Sequence, residues 1–282
     1  MAEYMRLTAE TLPMYGGLLP DELKRRLASE KNVFAVGAVE DGTACAVLAA
    51  ELSLQDILVD ILYLVVAEEY RGRGIGSGLV EFFCRCAEGQ GIPVRCLFSA
   101  SGMEDPLYGF FVDLPDFFIS EEDGFVCRIP FRDLTGSQTL MSAEDRIKDP
   151  IPFFSLPLQE QRAFRHRLED SGNFYLEDLK ERSGIYDHEL CLCRKNGSAI
   201  EAAVFFLQEQ GDLVLDYIWC APKKQAALCS LLAQAARRIS SRAEDGWLYI
   251  AAVEPQIGET VTRLFPQREI IRRYYCAAYE MV

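Results

Sequence analysis

Long apolar runs are scarce in this chain of 282 residues. A run such as AAVFFL at 202–207 is far shorter than the about 20 apolar residues that a membrane-spanning helix needs. The N-terminal stretch MAEYMRLTAETLPMYGG also lacks the basic segment followed by an apolar segment that marks a signal peptide. We therefore expect a soluble protein in the cytoplasm that does not contact the membrane.

Positive charge is also scarce, with 29 Lys and Arg against 43 Asp and Glu and a net charge of −14. Residues 1–140 carry most of this imbalance, with 11 basic and 22 acidic side chains. Such a surface repels nucleic acid and anionic lipid, so we expect neither as a partner. It would attract a cationic partner, although solubility alone is an alternative explanation.

The ten cysteines do not indicate a disulfide framework in a chain of this length. Most of them lie singly within apolar runs, where a free thiol behaves as a small hydrophobic residue. Two C-x-C pairs occur, Cys84 with Cys86 and Cys191 with Cys193, and His188 lies close to the second pair. Core packing in a reducing compartment explains them better than metal binding, so we predict no metal site.

The order of predicted elements occurs twice along the chain. Residues 33–67 predict a hairpin over Asp41-Gly42 and a third strand, followed by a glycine-rich stretch, a helix and the strand IPVRCLFSA. A short helix then begins with Asp105 as its N-cap and Pro106 at its first position. From residue 188 the pattern recurs, with a hairpin over Asn196-Gly197, a strand, a helix and a strand.

An offset of 154 residues aligns the two halves, although few residues are identical. The sequence therefore predicts an α+β protein of two tandem domains, each a mixed, mostly antiparallel sheet flanked by helices. We predict an N-terminal domain at 1–134, a linker at 135–157 and a C-terminal domain at 158–282. The linker mixes turn-forming and charged residues.

The stretch YLVVAEEYRGRGIGSGLVEF at 63–82 joins a predicted strand to a predicted helix through several glycines. It is not a P-loop, since no Lys-Ser or Lys-Thr follows, and it fails the dinucleotide pattern G-x-G-x-x-G in every frame. It does match the pattern [QR]-x-x-G-x-[GA]. Glycines allow the backbone to approach a diphosphate closely, and amides at a helix N-terminus bind anions. A glycine-rich turn without a ligand is the alternative.

This stretch resembles motif A of the GNAT superfamily of N-acetyltransferases, and the resemblance extends over residues 33–119 and more loosely over 1–32. It implies two tandem GNAT-like domains and acetyl-CoA as co-substrate. The resemblance implies that main-chain groups of Leu64, Val65 and Val66 hold the pantetheine arm and the acetyl carbonyl. It further implies a glycine loop that binds the diphosphate of coenzyme A, consisting of Arg71, Gly72, Arg73, Gly74, Ile75, Gly76 and Ser77.

An acid for the departing thiolate is expected at Tyr108, because the family usually carries N-x-x-x-x-x-x-Y after the second core strand. Ser101 stands at the Asn position here, and Val112-Asp113 replaces the usual Gly-Phe. Both histidines lie in the second half, so other residues must serve as acid and base in the first. A tyrosine with only a packing role is the alternative.

The candidate base is Asp60, eleven residues before Arg71, near the position where histone-acetyltransferase members of the family have a glutamate. A solvated aspartate is the alternative at this position. Glu51 and Tyr63 are further candidates, and some members of the family use only a chain of water molecules. The sequence leaves these possibilities open.

The second half departs from the motif. At the offset of 154, Gln225 aligns with Arg71, Leu228 with Gly74 and Ser230 with Gly76. We expect Leu228 to carry bulk where a phosphate should approach, and no tyrosine takes the place of Tyr108. The C-terminal domain is therefore interpreted as a degenerate copy without its own cofactor, which either closes over the acceptor site or supports the edge of the first domain.

The predicted function is transfer of an acetyl group from acetyl-CoA to a primary amine by direct attack. Acidic residues cluster between 104 and 123, which favours a cationic small-molecule or peptide amine, although a solvated loop explains them equally. One alternative is an aminoacyl or thiol-conjugating transferase with tandem domains of this fold, although the acidic charge argues against tRNA. The other is an acyl-CoA sensor without catalysis. The oligomeric state is not determined by the sequence.

Overall fold

The computed structural model describes residues 2–54, 56–142, 150–170, 184–197, 199–242 and 245–280, so residues 143–149 of the predicted linker lie outside it. The chain forms two compact units. Unit 1 comprises Met1–Glu122 with Arg273–Val282, and unit 2 comprises Asp123–Arg272. No helix among the described residues is long and apolar enough to span a bilayer.

The described elements include the predicted succession of hairpin, strand, helix and strand in each half of the chain. The helices are α1 Asp21–Ser29, α2 Ile75–Glu88, α3 Pro106–Val112, α4 Gln138–Met141, α5 Leu158–Asp170, α6 Gln225–Arg242 and α7 Pro255–Leu264. The strands are β1 Glu3–Arg6, β2 Val33–Glu40, β3 Thr43–Ser53, β4 Leu58–Val66, β5 Val94–Ala100, β6 Phe117–Pro130, β7 Ile151–Pro152, β8 Leu192–Asn196, β9 Ala199–Glu209, β10 Asp212–Cys220, β11 Trp247–Ala252 and β12 Glu269–Tyr279.

The sheet of unit 1 has the strand order β1-β2-β3-β4-β5-β12. Only β4 and β5 are parallel, and the other pairs are antiparallel. Asp41 and Gly42 have φ of 50° and 78°, so they form the tight turn between β2 and β3 that the sequence predicts. The Asp105 side chain accepts a hydrogen bond from the Leu107 amide, which confirms the predicted N-cap of α3.

The sheet of unit 2 has the strand order β6-β11-β10-β9-β8-β7. Again one pair, β10 with β11, is parallel and the others are antiparallel. Gly197 has a φ of 62° in the turn between β8 and β9, as expected for the Asn-Gly hairpin. The fold class predicted from the sequence, two successive mixed and mostly antiparallel sheets flanked by helices, is confirmed.

Each unit takes one strand from a distant part of the sequence. In unit 1, Arg273–Tyr279 of β12 pair with Ala100–Val94 of β5. In unit 2, Phe125–Pro130 of β6 pair with Ala252–Trp247 of β11. The compact units therefore do not consist of continuous segments, unlike the predicted boundaries 1–134 and 158–282.

The core of unit 1 lies on both faces of its sheet. On one face α2 contributes Leu79, Val80 and Phe83, which recur at helical spacing and are buried. On the other face Tyr15 packs against β2, where a Cβ at Gly37 would lie 2.4 Å from its ring. The glycine at 37 is therefore required for the close approach of the tyrosine.

The cysteines predicted to pack in the core are largely buried. Cys191 and Cys193 are fully buried, and burial raises the pKa of both thiols to about 12. No group of three or more potential metal ligands occurs within the described part of the chain.

Candidate active site

Strands β4 and β5 separate soon after they begin. They pair in parallel only at Val59 with Val94 and at Asp60 with Arg95. Beyond this point β4 remains paired with β3 as far as Val66, and β5 remains paired with β12. The edge of β4 that faces β5 is therefore open after Asp60, and its backbone groups are available to a ligand.

The hydrogen-bond alternation of the β3–β4 ladder determines which groups point to the open edge. The Ala67 amide donates to the Cys45 carbonyl at 2.8 Å. Hydrogen-bonded and non-hydrogen-bonded residue pairs alternate in an antiparallel ladder. The amide and carbonyl of Val65 therefore face β3, whereas those of Leu64 and Val66 point away from it. Of the three residues predicted to hold the pantetheine arm, two therefore present backbone groups to the opening, and of these groups the Val66 carbonyl also accepts from Arg71.

The glycine loop (residues 71–77) connects β4 to α2 and requires glycine at two positions. Gly72 and Gly74 have φ of 74° and 75°, a left-handed conformation that other residues adopt only at a cost. A Cβ at either position would meet no atom within 4 Å, so the space beside the loop is open. The conformation, and not local crowding, accounts for these two glycines.

Gly74 is the N-cap of α2 and supplies no side chain to cap it. The first intrahelical bond runs from the Gly78 amide to the Gly74 carbonyl at 2.9 Å, so the amides of Ile75, Gly76 and Ser77 have no helical acceptor. The first turn contains no acidic residue. Three amides and the positive end of the helix dipole thus form an uncapped site for an anion.

Gly76 serves close packing at the same helix end. A Cβ at this position would lie 3.3 Å from Val66 Cγ2 and 3.6 Å from the ring of Phe110. The first turn of α2 therefore rests against the end of β4 on one side and against α3 on the other. This contact fixes the loop, the open strand and α3 relative to each other.

The two arginines of the loop make contacts within it. Arg71 donates through Nε to the Val66 carbonyl at 3.0 Å, which ties the loop to the end of β4. Arg73 donates to the Glu69 carbonyl at 2.8 Å, pairs with Glu40 at 3.3 Å and lies 5.3 Å from the centre of the Tyr70 ring. These contacts stabilise the loop. Because both arginines are exposed, they also add positive charge around it.

Tyr108 lies in α3 and is held by an aromatic cluster. Its ring centre is 6.5 Å from that of Phe98 and 5.0 Å from that of Tyr275, edge to face. Ser101, at the Asn position of the family pattern, donates through its amide and hydroxyl to Asp105 at 2.9 and 3.0 Å. Ser101 thereby helps to fix the start of α3, and Tyr275 supports Tyr108 from the C-terminal strand.

Asp60 lies where β4 and β5 are still paired, and its carboxylate is bound on both oxygens. Arg95 donates through Nε to Oδ1 and through Nη2 to Oδ2, the latter at 3.3 Å. This hydrogen bonding raises the pKa of the Arg95 guanidinium. To act as a base, Asp60 would have to give up at least one of these bonds.

The two further candidate bases also have partners. Glu51 pairs with Arg26 at 2.9 Å and accepts from the Asn32 side chain at 3.0 Å. The Tyr63 hydroxyl donates to the Leu18 carbonyl at 3.1 Å. All three candidates are therefore engaged within unit 1.

We expect the change Asp60→Asn to alter kcat by less than about threefold, because a half-exposed ion pair contributes little. A general base would instead account for a loss of about 10²–10⁴-fold. Steady-state rates of thiol release with the wild-type and variant proteins distinguish the two. A loss of that size at unchanged acetyl-CoA affinity would assign the base to Asp60.

Unit 2 contains the same strand geometry without the loop. Strands β10 and β11 pair in parallel at Leu213–Leu215 and then separate, while β10 continues to Cys220 alongside β9. Eight residues (67–74) join β4 to α2, but only four (221–224) join β10 to α6. At the offset of 154 the residues that align with 71–74 already form the first turn of α6.

This extra helical turn changes the interpretation of Leu228. The side chain is 9% exposed and belongs to the core of unit 2, so it does not block a phosphate as expected from the sequence. In unit 2 the first turn of α6 takes the place of the glycine loop.

In front of α6, Lys224 pairs with the buried Glu201 at 2.6 Å, and Arg194 contacts the same carboxylate at 3.3 Å. The hydrogen bond from Lys224 is the main cause of a lowered pKa of Glu201.

The acidic residues between 104 and 123 have divided roles. Asp105 caps α3, Glu121 pairs with Arg273 at 3.0 Å, and the Asp116 carbonyl accepts from the Glu280 amide at 2.8 Å. Glu104 and Asp113 are exposed at the two ends of α3. Part of this cluster therefore stabilises unit 1, and the remainder is exposed near the helix that carries Tyr108.

Known structures share this architecture. A tandem GNAT protein from the clavulanic acid biosynthesis pathway superposes with a TM-score of 0.58 at 13% identity, over 100% of this chain and 99% of that chain. A GCN5-related N-acetyltransferase from Anabaena variabilis gives 0.57 at 12% identity over 98% and 72%. One from Kribbella flavida gives 0.51 at 16% identity over 98% and 71%. Likeness at this identity shows the fold, which is that of tandem GNAT proteins.

The N-terminal part also resembles a known family in sequence. Residues 3–105 match the family model described as the Acetyltransferase (GNAT) family. No curated protein matches the chain. The matched segment contains β4, the glycine loop, α2 and β5, which form the open strand edge and the uncapped helix end. The chain thus has the fold of tandem GNAT proteins, and its N-terminal part is similar in sequence to the GNAT acetyltransferase family.

Proposed function

We propose that the N-terminal domain transfers an acetyl group from acetyl-CoA to a primary amine by direct attack, and that the C-terminal domain binds no acetyl-CoA. The observation that carries the proposal is the uncapped N-terminus of α2 next to the open edge of β4. Amides of Ile75, Gly76 and Ser77 suit a diphosphate. Backbone groups of Leu64 and Val66 suit the amide-containing pantetheine arm, which lies along a strand edge.

The residues divide the chemistry as follows. The glycine loop anchors the diphosphate, with Arg71 and Arg73 adding positive charge around it. The strand edge orients the thioester, which brings its carbonyl carbon within reach of the neutral amine. The Tyr108 hydroxyl gives its proton to the thiolate that leaves. The amine proton passes to water, since Asp60, Glu51 and Tyr63 are engaged with other groups.

The acceptor is proposed to be a cationic small-molecule or peptide amine. Support comes from the net charge of −14 and from the exposed carboxylates at the ends of α3. A cytoplasmic location and the absence of nucleic-acid and membrane partners stay predictions from the sequence.

The stoichiometry of acetyl-CoA binding tests the division of labour between the domains. Isothermal titration is expected to give one acetyl-CoA per chain, because the residues aligned with the loop are helical in unit 2 and Lys224 is paired with Glu201. Two equal sites per chain would contradict the proposal for the C-terminal domain. No binding at all would contradict the proposal as a whole.

Thiol release measured with a panel of amines tests the reaction. We expect turnover with acetyl-CoA and at least one cationic amine. Binding of acetyl-CoA without turnover of any amine would instead indicate an acyl-CoA sensor. Transfer of an aminoacyl group in place of acetyl, or turnover with a thiol acceptor in place of an amine, would indicate a conjugating transferase.

A further inference from the structure

Unit 1 contains a cavity of about 270 Å³ that the proposed reaction does not use. Its apolar wall is formed by residues of three strands and of α2. Phe34, Leu52 and Val59 line it from the sheet, and Phe82 and Ala87 line it from the last two turns of the helix. A predominantly apolar wall with few polar groups is typical of sites for small organic ligands.

The cavity and the glycine loop lie at opposite ends of α2. The loop amides belong to Ile75–Ser77 at the start of the helix, whereas the cavity begins at Phe82 and extends past the helix end to Gln90. Phe82 lies five residues beyond Ser77, which corresponds to about 8 Å along the helix axis, and the cavity extends away from the loop from there. The cavity is therefore separate from the site proposed for acetyl-CoA. It also lies slightly below the 300–1,000 Å³ usual for drug-sized ligands, so a smaller molecule fits it better.

The rim of the cavity carries one positive charge. Arg6, the last residue of β1, lines the cavity and is exposed. Among the described residues, none forms an ion pair or side-chain hydrogen bond with its guanidinium, although the chain has an excess of acidic groups. No carboxylate lines the cavity, and Gln90 and Cys86 are its other polar residues. An apolar interior beside a guanidinium that has no ion-pair partner in the described part of the chain is complementary to an apolar molecule with a negative end.

We propose that this cavity binds a small apolar carboxylate, either a medium-length aliphatic chain or a single aromatic ring. The apolar part replaces water against Phe34, Leu52 and Phe82, and the carboxylate pairs with Arg6 at the rim. An apolar amine of the same shape would bring like charge to Arg6 and is excluded. Coenzyme A is excluded as well, because its polar pantetheine and diphosphate groups find few partners in this wall.

Cys86 offers a reporter for occupancy. All ten cysteines lie in the described residues, and Cys86 is the only exposed one. Since its side chain lines the cavity, a bound molecule shields the thiol from alkylation. Peptide mass spectrometry of protein treated with iodoacetamide measures the modification of Cys86 separately from the other nine thiols.

Octanoate is a suitable probe, with octylamine as the control of equal chain length and opposite charge. We expect saturating octanoate to slow alkylation of Cys86 by about tenfold or more, and octylamine to leave it unchanged. In Arg6→Gln the octanoate concentration for half-protection is expected to rise by about three- to fivefold, because Arg6 is exposed and exposed ion pairs contribute little. The matched control is Arg85→Gln, because Arg85 is an exposed arginine of α2 that does not line the cavity. In this variant octanoate should protect Cys86 as well as it does in the wild type.

The proposal is overturned if octanoate does not protect Cys86, or if octylamine protects it equally. Equal protection in Arg6→Gln and wild type would remove the role of the guanidinium and with it the carboxylate specificity. Because Arg6 is exposed, its replacement should leave the fold intact, and a thermal melt of each variant without ligand checks this. Titration of the same samples with acetyl-CoA tests the transferase site separately. Failure of the octanoate test with normal acetyl-CoA binding would therefore leave the proposed transferase function intact.

Discussion

Replacing Gly74 with leucine is expected to weaken acetyl-CoA binding by at least about 100-fold while the domain stays folded. The φ of 75° at this position is costly for any residue with a Cβ, by about 1–2 kcal/mol. The chain relieves this strain by moving the start of α2, which displaces the amides of Ile75, Gly76 and Ser77. The new side chain also occupies the open space beside the loop. Isothermal titration with acetyl-CoA measures the loss.

Gly91→Leu is the matched control for this change. Gly91 follows α2 at its other end, has a φ of 66°, and a Cβ there would also meet no atom within 4 Å. The two substitutions therefore impose the same kind of strain, and both are expected to lower the melting temperature by a similar amount. Only Gly74→Leu should lose acetyl-CoA affinity. Equal losses in both variants, or an affinity of Gly74→Leu near that of the wild type, would contradict the loop assignment.

Tyr108→Phe is expected to lower kcat by about 100-fold and to leave acetyl-CoA affinity within about twofold. The phenyl ring keeps its contacts with Phe98 and Tyr275, so α3 stays in place and only the hydroxyl is lost. Without that proton donor the thiolate must leave as an anion or take its proton from water. Single-turnover rates of thiol release, together with titration of acetyl-CoA, separate chemistry from binding.

Tyr279→Phe is the control for Tyr108→Phe. Its hydroxyl, in the same unit, contacts Glu88 at 3.5 Å, at the far end of α2 from the loop. Its removal should leave both kcat and affinity unchanged. If Tyr108→Phe retains full activity, Tyr108 has only a packing role and the proton comes from another source.

Local signals in the sequence predicted the elements that surround the site. The Asp-Gly and Asn-Gly turns, the Asp105 cap and the apolar spacing of α2 are set by residues a few positions apart, and the structure has each of them. The glycine loop was identified in the same way, since a left-handed φ at Gly72 and Gly74 leaves a direct mark on the residue type.

Contacts between distant residues could not be predicted. Tyr275 packs on Tyr108 only because β12 pairs with β5, and no spacing in the sequence specifies that partner. Similarly, Arg95 binds Asp60 across two adjacent strands, which bears on the choice of base. The alignment of the halves assumed equal lengths for the two connecting segments, so it set the first turn of the predicted helix at Gln225 against the glycine loop.

A structure with bound coenzyme A tests the central claim most directly. We predict that oxygens of its diphosphate lie about 2.7–3.2 Å from the amides of Ile75, Gly76 and Ser77, with the pantetheine arm bonded to Leu64 and Val66. A structure obtained at saturating coenzyme A in which the N-terminus of α2 has no ligand, or in which the diphosphate binds to unit 2, would contradict it.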